Sequence, residues 1–211
     1  MSLELKPQTH VGVIDYGAGN LQSVVNAFKA IGASVSIVSS PQDLLSTTHL
    51  VLPGQGEFGD CADKLRASGL FDSIKDWIKQ DRSFLGICVG YQLLFESSSE
   101  SPDKPGLGVF KGSVRRFESK GLKVPHMGWN ALSLTNPQLP LWKGLGEEPY
   151  FYFIHSYFPQ IAQSQYTAGT CIYGEKFDAA IAKGRVVATQ FHPEKSQDAG
   201  LALLKNFLLY H

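Results

Sequence analysis

Residues 83–95, SFLGICVGYQLLF, join a short apolar run to a cysteine flanked by glycines and then to a second apolar segment. The run SFLGI is typical of a strand that helices cover on both faces, and VGYQLLF predicts an amphipathic helix directly after Cys88. Gly86 and Gly90 remove the Cβ atoms that would obstruct a sharp turn between the two. The stretch therefore predicts the strand–turn–helix unit of an α/β protein.

The position of Cys88 predicts a nucleophile, because the N-terminus of a helix favours the thiolate over the thiol. The alternative is a small buried cysteine at the end of a strand, and we adopt that interpretation for Cys61 and Cys171. The three cysteines have no CxxC spacing. We therefore expect neither a disulfide framework nor a metal site, and we expect a reducing compartment.

The segments on either side of this unit indicate the architecture. Short β-branched runs alternate with amphipathic patterns, as in βαβ units, in HVGVIDY, NLQSVVNAFKAIG, ASVSIVS, HLVLP and LFDSIKDWIKQ. From about residue 105, strand-like stretches predict antiparallel additions, and SQDAGLALLKNFLLY predicts a closing helix after a serine cap. We expect one α/β domain over residues 1–211, with a mostly parallel sheet flanked by helices and the first nine or so residues as a candidate extension.

Charge and composition limit the partners. The 211 residues carry 19 basic and 19 acidic side chains, so the formal net charge is zero. This balance provides no basic surface for nucleic acid or for an anionic membrane. The start MSLELKPQTH lacks the apolar stretch of a signal peptide, and no apolar run approaches the roughly 20 residues that cross a bilayer. We therefore expect a cytoplasmic protein without nucleic acid or membrane partners.

An acyl-transfer nucleophile needs a base that takes its proton and returns it to the leaving amine. Of the six histidines, His192 is the candidate because it follows the apolar run VVATQF and precedes Pro193 and Glu194. Residues two apart in an extended backbone face the same side, so Glu194 can orient the His192 ring. The alternative is a histidine at a strand end beside a surface carboxylate. We expect structural or interface roles for His126 and His155. The remaining histidines are His10, His49 and His211.

Residues 53–59, PGQGEFG, follow the apolar run HLVLP and contain three glycines. Glycines at the carboxyl end of a strand suit a loop that presents backbone amides to a developing oxyanion. An ordinary glycine-rich turn is the alternative. The segment lacks the Lys-Ser/Thr ending of a phosphate-binding loop, so we do not expect a nucleotide there.

The segments PGQGEFG, LGICVGYQ and QFHPEKS stand in the order and at the spacing of the class I, triad-type glutamine amidotransferases. The chain resembles that family over nearly its whole length, which implies a flavodoxin-like fold and L-glutamine as the substrate. The resemblance also implies that Cys88 attacks the side-chain amide of glutamine, that His192 shuttles protons and that Glu194 orients His192. A thioester would form and hydrolyse to glutamate, and ammonia would leave for another active site without any cofactor.

The same resemblance implies which groups surround the substrate. The backbone amides of Val89 and of the segment Gly54 to Gln55 would form the oxyanion hole. Gln92 lies one helical turn after Cys88, from where its side chain can return to the pocket; an exposed helical glutamine is the alternative. The residues implied to hold glutamine are Gly56, Gln92, Ser156 and Tyr157, the last two through their main chain.

Four segments, VGVIDYGAGN, PHMGWN, YFIHSYF and HPEKS, look like those of the glutaminase subunits of imidazole glycerol phosphate synthases. That resemblance implies a heterodimer with a (β/α)8-barrel cyclase, which uses the ammonia in histidine biosynthesis. It places Asn20, Trp129 and Lys195 at the interface, whereas a core Trp129 and a solvated Lys195 are the alternatives. It also implies a nearly inactive free subunit, in which the amide between Gly54 and Gln55 points away from the oxyanion.

Two residues depart from the usual pattern of that family. Gln55 stands where a small or apolar residue is usual, and Tyr91 replaces the commoner methionine, but neither change removes a catalytic group. Three other interpretations stay open: the glutaminase of pyridoxal phosphate or anthranilate synthesis, a non-catalytic binding subunit, and a cysteine hydrolase that acts on peptides. PHMGWN together with YFIHSYF argues against the first of these.

Overall fold

A mixed sheet of eight strands forms the centre of the protein in the computed structural model, which describes residues 9–118 and 121–210. His211, one of the candidate bases, and the first eight residues lie outside the described residues. The strands are β1 (His10–Ile14), β2 (Ser34–Val38), β3 (His49–Leu52), β4 (Ser83–Ile87), β5 (Ser97–Ser98), β6 (Gly112–Arg116), β7 (His126–Ala131), β8 (Ser133–Leu134), β9 (Tyr150–His155), β10 (Tyr157–Ile161), β11 (Thr167–Tyr173), β12 (Glu175–Lys183) and β13 (Val186–Thr189). The helices are α1 (Leu21–Ala30), α2 (Phe58–Ala67), α3 (Leu70–Lys79), α4 (Val89–Gln92) and α5 (Gln197–Leu209).

The order of the strands across this sheet is β2-β1-β3-β4-β13-β12-β11-β8. The strands from β2 to β13 in this order are parallel to their neighbours. Strands β12, β11 and β8 then extend the sheet with antiparallel pairings. The predicted α/β fold is therefore confirmed, with a mostly parallel sheet and antiparallel additions from the C-terminal half of the chain.

Continuous apolar runs form the middle strands because both of their faces are covered. Every residue of β3 and β4 is buried, and β1 is buried from Val11 onward. The edge strand β2 is instead partly exposed along most of its length. The hydrophobic core therefore lies on both faces of the parallel strands, as the sequence pattern predicts.

Helices α1 and α3 pack on the sheet, and α5 packs against α1. In α3, the buried residues Leu70, Ile74, Trp77 and Ile78 recur at helical spacing, so one stripe of the helix faces the core. No helix within the described residues is long and apolar enough to span a bilayer.

Two predicted details at the start of helices are wrong. Helix α2 begins at Phe58, inside the segment 53–59 that the sequence predicted as a loop. Ser196 occupies the N-cap position of α5, but its side chain does not cap the helix. Its hydroxyl instead donates to the His192 carbonyl at 2.6 Å and accepts from the Tyr152 amide at 3.0 Å. These two bonds tie the start of α5 to the chain around His192.

The helix after Cys88 is also shorter than predicted, because α4 has only four residues. The next amides bond three residues back instead of four, since Leu94 donates to the Tyr91 carbonyl and Phe95 to the Gln92 carbonyl, both at 3.1 Å. In a neighbouring loop, the Leu107 amide donates to the Leu93 carbonyl at 2.7 Å, and the Val109 amide donates to the Leu94 carbonyl at 2.8 Å. The Leu93 and Leu94 carbonyls would accept from residues 97 and 98 in a longer helix, so the loop also prevents the helix from resuming after Phe95.

Two smaller sheets border the large one, with the strand orders β10-β6-β5 and β7-β9. Strands β9 and β10 follow one another along the chain and are separated only by Ser156. The antiparallel register of β7 with β9 sets His126 opposite His155 and Trp129 opposite Tyr152. The small sheets thereby bring two segments, PHMGWN and YFIHSYF, together beside the carboxyl ends of the parallel strands.

Candidate active site

A small cavity of about 220 Å³ opens at the carboxyl ends of the central strands, where open α/β sheets bind ligands. The predicted catalytic, oxyanion-hole and glutamine-binding residues line it, with the exceptions of Gly54 and Glu194. Gly54 packs behind Val89, and Glu194 contacts His192 from behind. The cavity is also lined by Glu100, Pro125, Ile154 and His155, which the sequence did not indicate as pocket residues.

A larger cavity of about 670 Å³ opens at the amino ends of β4 and β13, around Asp81, Lys183 and Gly184. It contains none of the predicted site residues, so the smaller cavity is the candidate active site. Among residues 9–118 and 121–210, no group of three or more histidine, cysteine, aspartate or glutamate side chains is arranged to hold a metal ion.

Cys88 lies at a strained turn between β4 and α4. Its φ of 54° and ψ of −107° belong to a region that residues other than glycine rarely adopt. A Cβ atom at Gly90 would come within 1.9 Å of the Leu52 carbonyl oxygen, and one at Gly86 would lie 2.8 Å from the Gly90 carbonyl oxygen. The two glycines around the cysteine are therefore required by the close approach of the turn to β3 and β4.

His192 and Glu194 form a buried pair at this site. Nδ1 of His192 is 2.7 Å from Oε1 of Glu194, and the two side chains are only 3% and 1% exposed. The predicted extended backbone is wrong beyond His192, because Pro193–Lys195 form a 3-10 turn. This turn brings the carboxylate back to the ring, so the two side chains meet by a different route. The alternative of a surface carboxylate is also wrong.

The groups around His192 change the pKa of its ring. Burial lowers the pKa of His192, but the Cys88 thiolate and the Glu194 carboxylate outweigh burial and raise this pKa to about 10. Nε2 of His192 is buried and has no hydrogen-bond partner within the described residues, so it can exchange a proton with a substrate.

Two other candidate bases, His10 and His49, begin β1 and β3 at the opposite end of the sheet.

Gln92 reaches the cavity from α4. Its Nε2 donates to the Tyr157 carbonyl at 2.9 Å and to Oε1 of Gln190 at 3.2 Å. Both amide hydrogens are thus used within the protein, and Oε1 is the atom left for a ligand. The alternative of an exposed glutamine is wrong, because Gln92 is buried. Gln190 was not among the predicted site residues, although it begins the segment QFHPEKS.

The segment predicted for the oxyanion hole is held from behind by two side chains. The Tyr16 hydroxyl donates to the Pro53 carbonyl at 3.0 Å, and the Cys61 thiol donates to the Gln55 carbonyl at 3.7 Å. A Cβ atom at Gly54 would lie 2.6 Å from the amide nitrogen of Gly90, so this segment and the cysteine turn are in direct contact. The side chain of Gln55, one of the two departures, is exposed.

The other departure, Tyr91, is a core residue. Its ring is fully buried and packs edge-on against Phe95 with a centroid distance of 5.5 Å. Its hydroxyl donates to the Asp178 carbonyl at 3.3 Å, and burial raises its pKa well above the usual value. Tyr91 therefore contributes to packing beneath the turn and does not line the cavity.

Residues 12–210 match the family model described as glutamine amidotransferase class-I. The chain belongs to the class I glutamine amidotransferases. It is 46% identical over 202 residues to the imidazole glycerol phosphate synthase subunit HisH of a Cyanothece species, with 95% of each chain covered. It is 42% identical over 201 residues to the subunit of the same name from Acinetobacter baylyi, with 95% of this chain and 98% of that protein covered.

A solved structure described as a glutamine amidotransferase also resembles this amidotransferase, with a TM-score of 0.72. The alignment covers 93% of this chain and 98% of that one at 22% sequence identity, so it shows the fold alone. The predicted family and its enzymatic class are thus confirmed. The roles of the individual site residues stay predictions.

The three residues predicted at a partner interface have different environments in the amidotransferase. The Trp129 side chain is 47% exposed and meets the Tyr152 ring edge-on at 6.2 Å, so the alternative of a core tryptophan is wrong. Asn20 caps α1, since its Oδ1 accepts from the Ser23 amide at 3.4 Å. Lys195 ends the 3-10 turn after Glu194 and is partly buried. Their place in an interface stays a prediction.

His126 and His155 form a buried pair whose tautomers follow from a carbonyl at each end. The Tyr157 carbonyl accepts from Nδ1 of His155 at 2.8 Å, so Nε2 of His155 must accept from Nδ1 of His126 at 3.2 Å. Asn130 Nδ2 then donates to His126 Nε2 at 3.3 Å and to the Ile172 carbonyl at 3.0 Å. The expected structural role of the two histidines agrees with these bonds.

We expect the amidotransferase to lose stability as the pH falls below about 6.5, because both histidines of this pair must stay neutral in the folded state. Burial lowers the pKa of His126 to about 4 and that of His155 to about 3. An unfolded histidine titrates near 6.5, so below that pH only the unfolded chain binds these protons. The free energy of unfolding then falls by up to about 1.4 kcal/mol per pH unit for each histidine.

Urea unfolding at several pH values between about 7.5 and 5.5 measures this loss. As the pH is lowered, the free energy of unfolding should fall less steeply in the variant His155→Gln than in the wild type. This comparison of slopes holds even if the variant is less stable at pH 7.5. The matched control is His10→Gln, a histidine at the far end of the sheet, which should keep the wild-type slope. Equal slopes in the wild type and in His155→Gln would contradict the prediction.

Proposed function

We propose that this amidotransferase is the glutaminase subunit of an imidazole glycerol phosphate synthase, which releases ammonia from L-glutamine for a (β/α)8-barrel cyclase subunit. The observation that carries the glutaminase activity is the buried contact of 2.7 Å between His192 and Glu194, beside a cavity lined by Cys88. The relatives named as that synthase's subunit, which are 42% and 46% identical across almost the whole chain, support the choice of synthase.

The size and charge of the cavity support a free amino acid as the substrate. Its volume of about 220 Å³ is below the roughly 300–1,000 Å³ of pockets for drug-sized ligands. Among the described residues that line it, Glu100 is the only carboxylate, and it can pair with the α-ammonium group of glutamine. A residue inside a peptide lacks that ammonium group, so these features favour glutamine over a peptide substrate.

The first half of the reaction forms a thioester. The Cys88 proton passes to Nε2 of His192, and the thiolate attacks the side-chain amide carbon of glutamine. The backbone amides of Val89 and Gln55 stabilise the resulting oxyanion. His192 then gives the proton to the amide nitrogen, the carbon–nitrogen bond breaks, and ammonia leaves.

The second half of the reaction hydrolyses the thioester. His192 takes a proton from water, and the hydroxide attacks the thioester carbonyl. The carbon–sulfur bond breaks, glutamate is released, and Cys88 returns as a thiolate beside the protonated His192. Throughout the cycle Glu194 accepts the hydrogen bond from Nδ1, which keeps Nε2 as the reacting nitrogen.

Control by the partner subunit is proposed at the peptide between Gly54 and Gln55. Bonds from Tyr16 and Cys61 to neighbouring carbonyls of this segment give it a defined resting conformation. An amide that points away from the oxyanion in this state would lower the rate by about 10²–10³. If the free subunit and the substrate-activated complex showed the same outward amide, this account of activation would fail.

The deciding experiment measures glutamate release from glutamine by the purified chain, first alone and then with the barrel cyclase and its ribonucleotide substrate. We expect a low rate for the chain alone and a rise of about 10²–10³ in the complex, because the oxyanion hole becomes complete. The control adds the cyclase without its ribonucleotide, which separates docking from activation by the substrate.

The other outcomes select among the alternatives. No rise with this cyclase, but turnover with a different synthase, would keep the glutaminase chemistry and overturn the proposed partner. Cleavage of glutamine-containing peptides in preference to free glutamine would favour a peptide hydrolase. No turnover with any partner, together with no labelling of Cys88 by a glutamine-analogue electrophile, would favour a non-catalytic binding subunit.

A further inference from the structure

Gln190 is a buried side chain that the reaction described above does not use. It directly follows β13, and 0% of its surface is exposed. Its Nε2 is 3.7 Å from Sγ of Cys88, and its Oε1 is 3.2 Å from Nε2 of Gln92. A buried amide is costly unless both of its ends are hydrogen-bonded. Among the described residues, Gln190 meets this requirement by bridging the sulfur and Gln92.

A backbone carbonyl sets the direction of these hydrogen bonds. The Tyr157 carbonyl oxygen can only accept, so the atom of Gln92 that lies 2.9 Å from it is the amide nitrogen. The second hydrogen of that nitrogen points to Gln190 and needs an acceptor, so the Gln190 atom at 3.2 Å is the carbonyl oxygen. The other end of Gln190, which faces Cys88, is therefore an NH2 group.

The start of this chain of bonds is held firmly. The Tyr157 carbonyl also accepts from Nδ1 of His155 at 2.8 Å, so both of its lone pairs are engaged. His155 is in turn held by His126 at 3.2 Å. This carbonyl therefore fixes the orientation of both amides. If the amides of Gln92 and Gln190 were both rotated by 180°, Oε1 of Gln92 would face the Tyr157 carbonyl oxygen, and two acceptors would be in contact.

The fixed donor distinguishes the two protonation states of the cysteine. A thiol can donate its proton to the Ile154 carbonyl, which lies 4.0 Å from Sγ. A thiolate has no proton to donate and gains most from an N–H group aimed at the sulfur. The contact with Gln190 therefore favours the thiolate, in a buried environment where the hydrogen bond is strong.

We propose that Gln190 is a further catalytic residue, which donates a hydrogen bond to Sγ of Cys88 and favours the thiolate that attacks the substrate. Its part in turnover rests on the proposed glutaminase activity, whereas its bond to the sulfur does not require a substrate. The same side chain holds Gln92, so it joins the nucleophile to the wall of the glutamine pocket.

The test measures the rate at which iodoacetamide alkylates Cys88 in the full chain as a function of pH, read from the peptide that contains this cysteine. Gln190→Met keeps the approximate shape and removes the donor, whereas Gln190→Glu replaces the donor with an acceptor. We expect the pH of half-maximal alkylation to rise by about one unit in Gln190→Met and by more in Gln190→Glu, as loss of a hydrogen bond to a charged group predicts.

The matched control is Thr189→Val, which alters a fully buried neighbour whose hydroxyl donates to the Phe191 carbonyl at 3.0 Å. It should keep the wild-type pH dependence even if it melts at a lower temperature. Near-ultraviolet circular dichroism establishes that each variant is folded. If Gln190→Met does not fold, Gln190→Leu replaces it, because leucine also lacks the donor and should give the same upward shift.

Folded Gln190 variants with the wild-type pH dependence of alkylation would overturn the proposal. Failure of the proposed glutaminase activity would give a different result. The variants would still shift the alkylation profile, but the wild-type chain would release no glutamate, either alone or in complex with the cyclase. In the active complex, Gln190→Met should lower kcat and also raise KM for glutamine, since Gln92 loses the acceptor that holds one of its two amide hydrogens.

Discussion

Replacement of Cys88 by alanine should reduce glutamine hydrolysis in the complex with the cyclase by about 10⁶, the scale seen when a triad loses its nucleophile. No other described thiol lines the cavity, since Cys61 and Cys171 are both buried elsewhere in the core. Steady-state release of glutamate from glutamine measures the effect. Cyclisation driven by added ammonium salt should stay near the wild-type rate, because the partner would then receive ammonia without the thioester.

The control for Cys88→Ala is Cys171→Ala, in which the same change is made at a buried cysteine of β11. This variant should keep glutaminase activity within about threefold of the wild type after correction for the folded fraction, because its sulfur touches no reacting group. If Cys88→Ala retained more than a hundredth of the wild-type rate, covalent catalysis by this cysteine would be excluded.

Replacement of Glu194 by glutamine should lower kcat by about 10⁴ and change KM for glutamine much less. The carboxylate accepts the hydrogen bond from Nδ1 of His192, which fixes the tautomer and stabilises the imidazolium. A neutral amide supplies neither the charge nor a reliable acceptor. The hydrogen bond and the charge of Glu194 both raise the pKa of His192, so the variant should also shift the pH profile of kcat.

The matched control for this change is Glu147→Gln, which removes an exposed carboxylate that does not line the cavity. It should leave kcat, KM and the pH profile unchanged, since exposed charges are strongly screened. A Glu194→Gln enzyme that kept a tenth or more of the wild-type kcat would show that another group orients the histidine.

The predictable part of the site lies in short, continuous segments. The cysteine turn, the glycine-rich segment and the His-Pro-Glu segment each follow a parallel strand, so their convergence at one end of the sheet follows from the fold class. Glu194 shows the limit of this reasoning. The sequence predicted its contact with His192, but it predicted an extended backbone where the chain forms a 3-10 turn.

The length of α4 illustrates why local patterns fail in places. The segment VGYQLLF has helical spacing, but its last amides, those of Leu94 and Phe95, bond three residues back, and the carbonyls of Leu93 and Leu94 accept from loop residues 107 and 109. A helical pattern carries no information about which distant amides will compete for its carbonyl groups. Tertiary contacts therefore overrode a correct local propensity.

The sequence by itself determined the parallel sheet, the strand-to-helix turn at Cys88 and the three segments that identify the family, because these depend on periodicity and on glycines within a few residues. Only the tertiary structure decided that Gln190 meets both Cys88 and Gln92, across 102 and 98 positions of the chain. It also decided that Glu100 enters the cavity and that His126 pairs with His155. Such contacts depend on strand order and register, and on the hydrogen bonds that most buried polar groups make, which form only once the chain is folded.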